Sequence, residues 1–408
     1  MTEGAPPEDP IEDEDPIEDK GYPEWFERVT GVGSSIGQAM VVPVLAFVTA
    51  LIIGGVIIIL TDLDTLRMYG ESPGEAAKQS IIGVWEAYKA LFLGALGSPR
   101  AISDTLFSAT PLILAGLAVA IGFRAGLFNI GVNGQMLIGG MAALWVGFSF
   151  SLPLVVHITL ALLAGIIFGA LWGSIAGLLK GKTGAHEVIT TIMLNFIALF
   201  LVDYLLKTSF FQATGRQDPI SRVVAESARL PTLFPWGRVH IGFLIALVAV
   251  FFTYWLLFKS SIGFEFRAVG FNPDAGRYAG MNVAWIYVSV MAISGGLAGI
   301  AGSNQLLGLA PYQALPGFSG TTGFDAIALA LLGRSHPFGV LAAGLLFGAL
   351  RAGGRSMQGL AGIPLDLVLI MQALIIVFIA APELVRSIYR IKAPEGEEGL
   401  QLTKGWGG

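Results

Sequence analysis

The chain has 408 residues, of which 54% are hydrophobic, 13% are charged, 54 are glycine and none is cysteine. Soluble globular chains carry about a quarter of their residues as charges, so that class is excluded, and a mean hydropathy of +0.72 excludes disorder for the bulk. The formal charge of −5 averages two different objects. Residues 1–30 hold eleven acids against Lys20 and Arg28, and the remaining 22 bases and 18 acids leave a body of net +4.

In chain order, residues 1–30 form a proline-broken acidic tract unable to bury apolar surface, and a disordered tail is expected there. The first charge-free run, Val41–Leu60, has twenty residues, about the number a membrane span needs. Ile81–Leu96 places Glu86 and Lys89 among Trp85 and Tyr88, a pattern that fits an interfacial helix. Further spans are expected at Thr105–Phe123, Phe128–Phe150, Leu154–Leu179, Val188–Leu206, His240–Phe258, Ala284–Leu309 and Pro364–Ala381. Between the last two, Phe324–Leu332 and Phe338–Leu350 flank Gly333–Pro337. Each piece is short, which predicts one broken or re-entrant helix.

The expected fold is therefore all-α: a polytopic transmembrane bundle over residues 31–390, with about eight full spans plus the broken element. A C-terminal tail, 391–408, follows it. Lysine and arginine divide twelve against eleven between the two sides, so the positive-inside rule gives no orientation by count. The short loops favour a cytoplasmic N-terminus, which puts the 207–239 connection outside and the 259–283 loop inside.

Gly165, Gly169, Gly173 and Gly177 recur every fourth residue within one span. On a helix they form a groove without side chains, into which a neighbouring backbone packs. A second small-residue cluster, Ser294–Gly302, fits the same role. Polar groups at membrane depth are few, and each needs an interior partner or a wet cavity. Asn129, Asn133 and Gln135 converge at the start of one span, and Asn195 lies in another. Amides donate and accept, so this set is the candidate pathway for a neutral polar solute. There is no row of buried charges for a proton relay.

Absence of cysteine excludes disulfide and thiolate chemistry. Four histidines without metal-binding spacing give no expectation of a metal centre. Gly181-Lys-Thr183 imitates a phosphate loop, but Ala176 stands where that pattern needs glycine, and a helix precedes it rather than a strand. No ATPase site is expected in this chain. The 259–283 loop mixes Glu265, Arg267, Asp274 and Arg277 with aromatic residues. Asn272-Pro273 is a helix-start signal, predicting a short helix Pro273–Ala279 that ends at Gly280. Such a protruding capped helix suits docking of a soluble partner.

Five stretches occur in an order that resembles a known family: Thr110–Leu114 (TPLIL), Phe123–Gln135 (FRAGLFNIGVNGQ), Gly184–Asn195 (GAHEVITTIMLN), Phe266–Ala275 (FRAVGFNPDA) with Ala279-Gly280, and Leu331–Gly333 (LLG). From about Pro99 to Pro382 the chain resembles the permease subunits of binding-protein-dependent ABC importers, in the branched-chain amino acid, ribose and nucleoside group. The Gly184–Val188 stretch is most similar to the nucleoside and simple-sugar branch. The resemblance implies a second permease subunit, a cytoplasmic ATPase that holds ATP and magnesium, and an extracytoplasmic solute-binding protein. It implies a multi-pass protein of a bacterial or archaeal cell membrane, with no cofactor on this chain and no nucleic-acid partner. On it, Arg267, Gly270, Asn272, Pro273, Ala275 and Gly280 map to the helix that docks on the ATPase. Asn133 stands where such permeases often carry glutamate. An ion-gradient-driven transporter or channel is the alternative that composition alone leaves open.

Overall fold

The structure, a computed structural model, describes residues 35–390, so the acidic segment 1–30 and the segment 391–408 lie outside the described residues. In order the helices are α1 (Ser35–Thr61), α2 (Leu63–Glu71), α3 (Pro73–Leu96), α4 (Pro99–Arg124), α5 (Val132–Ser149), α6 (Leu154–Thr183), α7 (Glu187–Leu206), α8 (Gly242–Lys259), α9 (Ser261–Phe271), α10 (Pro273–Tyr278), α11 (Val283–Gly308), α12 (Thr322–Leu332), α13 (Pro337–Ala361), α14 (Leu365–Ala380) and α15 (Pro382–Tyr389). Among the described residues no strand forms beyond two isolated bridges in the 207–240 connection.

Helices α1, α4, α6, α7, α8, α11 and α13 are long and apolar enough to cross a membrane. Helix α5 has 18 residues, α14 has 16 and α12 has 11. The chain is thus an all-α polytopic membrane bundle. It departs from the sequence expectation in the broken element. The first half, α12, is short, but the second runs 25 residues to Ala361 and is a full span. Arg351 ends the apolar run in the sequence, whereas in the fold it pairs with Asp325, and Arg355 donates to Ser108 Oγ at 2.9 Å. Once partnered, neither charge prevents the helix from continuing.

Helix α4 forms the centre, with Leu112–Ala115 and Leu117–Ile121 wholly buried. Its C-terminal half joins one core with α8, α9 and α11 through Leu117, Ile121, Val250, Phe266 and Val290. A second core joins α5 to the 207–239 connection, and a third joins α1, α3, α13 and α14. The row Gly165, Gly169, Gly173 and Gly177 of α6 lies directly against α11. There Gly169 faces the carbonyl of Gly295, Gly173 that of Met291 and Gly177 that of Tyr287, so no side chain fits between the backbones. Helix α4 starts at Pro99 on the face opposite α9, and Gly54 of α1 meets Met371 of α14 and Tyr88 of α3. Helix α3 is not among the helices apolar enough to cross a membrane.

Candidate functional site

Between α4 and α5 the backbone turns at the α9 face and re-enters the bundle without being helical. A turn at Ala125-Gly126, with Gly126 at φ +69°, sends the irregular stretch Leu127–Asn129 back along α4, where Leu127 N–H bonds Gly122 O at 2.9 Å. Helix α5 then starts level with Ser294, eleven residues into α11. At 1.5 Å per residue that is ~17 Å from the α9 face, near the middle of a ~30 Å hydrocarbon core. Non-helical backbone at such depth must find its partners within the protein.

The predicted amides supply those partners. Asn129 Nδ2 donates to Ser294 Oγ at 2.7 Å and to Gln135 Oε1 at 3.0 Å. Asn129 Oδ1 accepts from Gly131 N at 2.9 Å and from Gln135 Nε2 at 3.3 Å. Ser294 Oγ donates onward to Ala118 O at 2.6 Å. On α7, Asn195 Oδ1 accepts from Gly134 N at 2.7 Å, and its Nδ2 donates to Ile130 O at 2.8 Å. Asn129, Gln135 and Asn195 thus hold the irregular segment and the free N–H groups at the start of α5. Asn133 is different. Its buried Oδ1 has no hydrogen-bond partner, and it lines a recess of about 240 Å³ with Ile130, Ile192, Asn195, Phe196 and Phe324.

A second interrupted helix meets the first at this point. Helix α12 starts with Gly323 against the backbone of Asn133, where a Cβ would lie 2.5 Å from its Cα and N. Asp325, in the first turn of α12, pairs with Arg351 and accepts from Thr321 Oγ1 at 2.9 Å. A carboxylate there complements the positive end of the helix dipole. From Asn133, α5 runs toward the face opposite α9 and α12 runs toward the α9 face.

At the α9 face the loop predicted to hold one short helix holds two. Asn272 caps α10, its Oδ1 accepting from Asp274 N and Ala275 N, both at 3.0 Å. Gly280 ends the motif at φ +84°. Arg277 pairs with Asp274 at 2.9 Å, while Pro273 and Ala275 are exposed. Phe271 and Tyr278 are 95% exposed, more than any other large apolar side chain described, and so are available to a partner. Glu265 and Arg267 of α9 are half-buried, and Arg267 lies 5.5 Å from the centroid of the Phe258 ring. Gly270 touches the end of α4: a Cβ would lie 2.5 Å from Arg124 O.

Arg124 connects this face to α12. Its Nε donates to Ser335 O at 2.9 Å and its Nη2 to Arg334 O at 3.1 Å. Both acceptors sit in the turn below α12 at φ +51° and +50°, a region costly for side-chain-bearing residues. Burial and the neighbouring Arg124 hold the His336 imidazole below its ordinary 6.5. Sequence reading singled out none of Arg124, Phe196, Gly323 or Phe324 as site residues. Gly323 lies at a run end and the two phenylalanines merge into apolar runs, while Arg124 carries a signal only as part of the Phe123–Gln135 stretch.

Interrupted helices that meet at depth inside a bundle of spanning helices are the architecture of a solute permease. The profile of the branched-chain amino acid transport system permease component matches residues 101–380, and the chain belongs to that family. It is 42% identical over 310 residues to the guanosine ABC transporter permease protein NupP of Bacillus subtilis, covering 75% of this chain and 88% of that one. It is 36% identical over 359 residues to the glucose ABC transporter permease protein TsgB13 of Haloferax volcanii, covering 86% and 89%. It is 34% identical over 368 residues to the nucleoside ABC transporter permease protein NupB of Lactococcus lactis, covering 88% and 94%. No solved structure gives a significant match. A permease component acts with other subunits, which separates it from the self-sufficient ion-gradient transporter.

Proposed function

We propose that this chain is one permease subunit of an ATP-driven importer that moves a nucleoside or simple sugar inward by alternating access. The meeting of α5 and α12 around the unpartnered Asn133 amide carries this reading. A buried acceptor without a donor costs about 1–3 kcal/mol, and a polar cargo would supply the donor. Asn129, Gln135 and Asn195 then frame the pathway, with Asn133 as the contact. The names of the three relatives support a nucleoside or sugar as cargo and ATP as the energy source.

ATP and magnesium belong to a cytoplasmic ATPase subunit docked on α9 and α10, with Phe271 and Tyr278 as its contacts. The α9 face is then cytoplasmic, and the 207–239 connection faces an extracytoplasmic solute-binding protein. A second permease subunit, identical or related, completes the pathway beside α7, whose Ile189, Phe196, Phe200 and Tyr204 point out of this chain. The test is ATP-dependent uptake of labelled guanosine and glucose into vesicles holding the complete complex. Asn133→Leu is expected to lower kcat/KM for the transported solute at least tenfold and to leave cargo-free ATP hydrolysis unchanged. Unaltered uptake by that variant would remove Asn133 from the pathway.

A further inference from the structure

On the face opposite α9, far from Asn133, helices α3, α4 and α13 enclose a recess of about 440 Å³ lined by Leu93, Ser98, Arg100, Asp104, Arg355 and Leu360. The helices cross in close contact beneath it, Gly94 against Ser356 and Gly353 against the carbonyl of Leu91. Its charges do not balance. Arg100 forms no ion pair among the described residues, and Arg355 donates one N–H to Ser108 Oγ. Arg238 forms an ion pair with Asp104 Oδ1 at 3.8 Å, too long for a hydrogen bond. The recess thus holds two guanidiniums, Arg100 and Arg355, and one carboxylate, which is already paired with Arg238 and has a buried oxygen, Oδ1, with no hydrogen-bond donor.

An occupant must therefore bring two things together, an anion for the arginines and a hydrogen-bond donor for Asp104. It must also suit apolar rims, because Leu93 and Leu360 of the lining are exposed. Close by, Phe234 and Trp236 stack at 4.9 Å on the same face, next to Gly237, whose Cα packs against Ser103 of α4. A tryptophan at such a position marks the level of lipid headgroups, and arginines without a carboxylate of their own between spans complement a lipid phosphate.

We propose that this recess binds the headgroup of a membrane glycerophospholipid. Its phosphate accepts from Arg100 and Arg355, which suit the fork geometry of phosphate oxygens. A headgroup hydroxyl donates to Asp104 Oδ1, and the acyl chains descend past Leu93 and Leu360. Phosphatidylglycerol has all three parts. Phosphatidylmethanol has the phosphate and chains but no headgroup hydroxyl, and phosphatidylcholine has no donor at all.

The test is native mass spectrometry of the delipidated complex, titrated with each of these three lipids. Retention of one phosphatidylglycerol per permease chain is expected, at least tenfold tighter than phosphatidylcholine and measurably tighter than phosphatidylmethanol. The pair Arg100→Gln with Arg355→Gln should lose that retention at least tenfold. Arg100→Gln alone, at an exposed side chain that no fold contact needs, should lose part of it. Asp104→Ala should equalise phosphatidylglycerol and phosphatidylmethanol. Equal retention by wild type and the arginine variants would overturn the proposal. Displacement of the lipid by millimolar inorganic phosphate would also overturn it, in favour of a small soluble anion.

Discussion

Arg124→Gln tests the proposed connection between the α9 face and the end of α12 that meets Asn133. The guanidinium bridges two carbonyls in a turn whose residues hold positive φ, at 2.9 and 3.1 Å, and lies 5.4 Å from the centroid of Phe258. A hydrogen bond from a charged donor contributes about 1.5–3 kcal/mol, and one of these two bonds is exposed to solvent. Losing both should cost about 2–4 kcal/mol of preference for this turn, a ~30-fold or larger change in its population. Helix α12 is a rod of eleven residues on that turn, ~16 Å long. A tilt of about 5° at Leu332 would then move Gly323, nine residues or ~13.5 Å along the helix, by ~1.2 Å against Asn133. ATP hydrolysis and solute uptake should be measured in the same vesicles. Uptake per ATP is expected to fall at least tenfold while hydrolysis stays within twofold, with Arg124→Lys between the two. An unchanged ratio in a fully assembled Arg124→Gln complex would refute the connection.

Two further substitutions probe neighbouring parts of the same account. Gly270→Leu places carbon 2.5 Å from Arg124 O and 2.7 Å from Ala125 C, so α9 must shift, at about 1–3 kcal/mol of overpacking. The complex should assemble with reduced ATPase stimulation by cargo, and normal stimulation would show that the contact tolerates bulk. Ser294→Ala leaves one buried Asn129 N–H without its acceptor, at about 1–3 kcal/mol, and removes the added bond to the Ala118 carbonyl, which lies within helix α4. Thermal unfolding in detergent should drop by several degrees, whereas Asn133→Leu should change it little. Equal losses would mean that Asn133 also holds the fold.

The apolar runs place most helices within a few residues, because length and hydropathy alone decide whether a segment can cross a membrane. What the sequence cannot show is partnership at a distance. Arg351 reads as the end of a span because its carboxylate, Asp325, is 26 residues away. Phe128 reads as the start of a span because hydropathy continues through Leu127–Ile130, although the backbone there is irregular. Helix α9 is concealed by its three phenylalanines and two glycines, which are weak helix formers, so only the Asn272 cap is visible. Asn129 and Asn133 are four residues apart and chemically identical. Only the positions of Ser294, Gly131 and Gln135 make one of them saturated and leave the other open.

Because the chain contains no cysteine, a single thiol introduced into it is the only one in this subunit. The most direct measurement is reaction of Asn133→Cys and of Ser294→Cys with a small water-soluble thiol reagent in the assembled complex, with and without cargo. The thiol at position 133 is expected to react and to be protected by cargo, while the one at 294, within the saturated network, does not react. A reactive thiol at 294 with an unreactive one at 133 would contradict this.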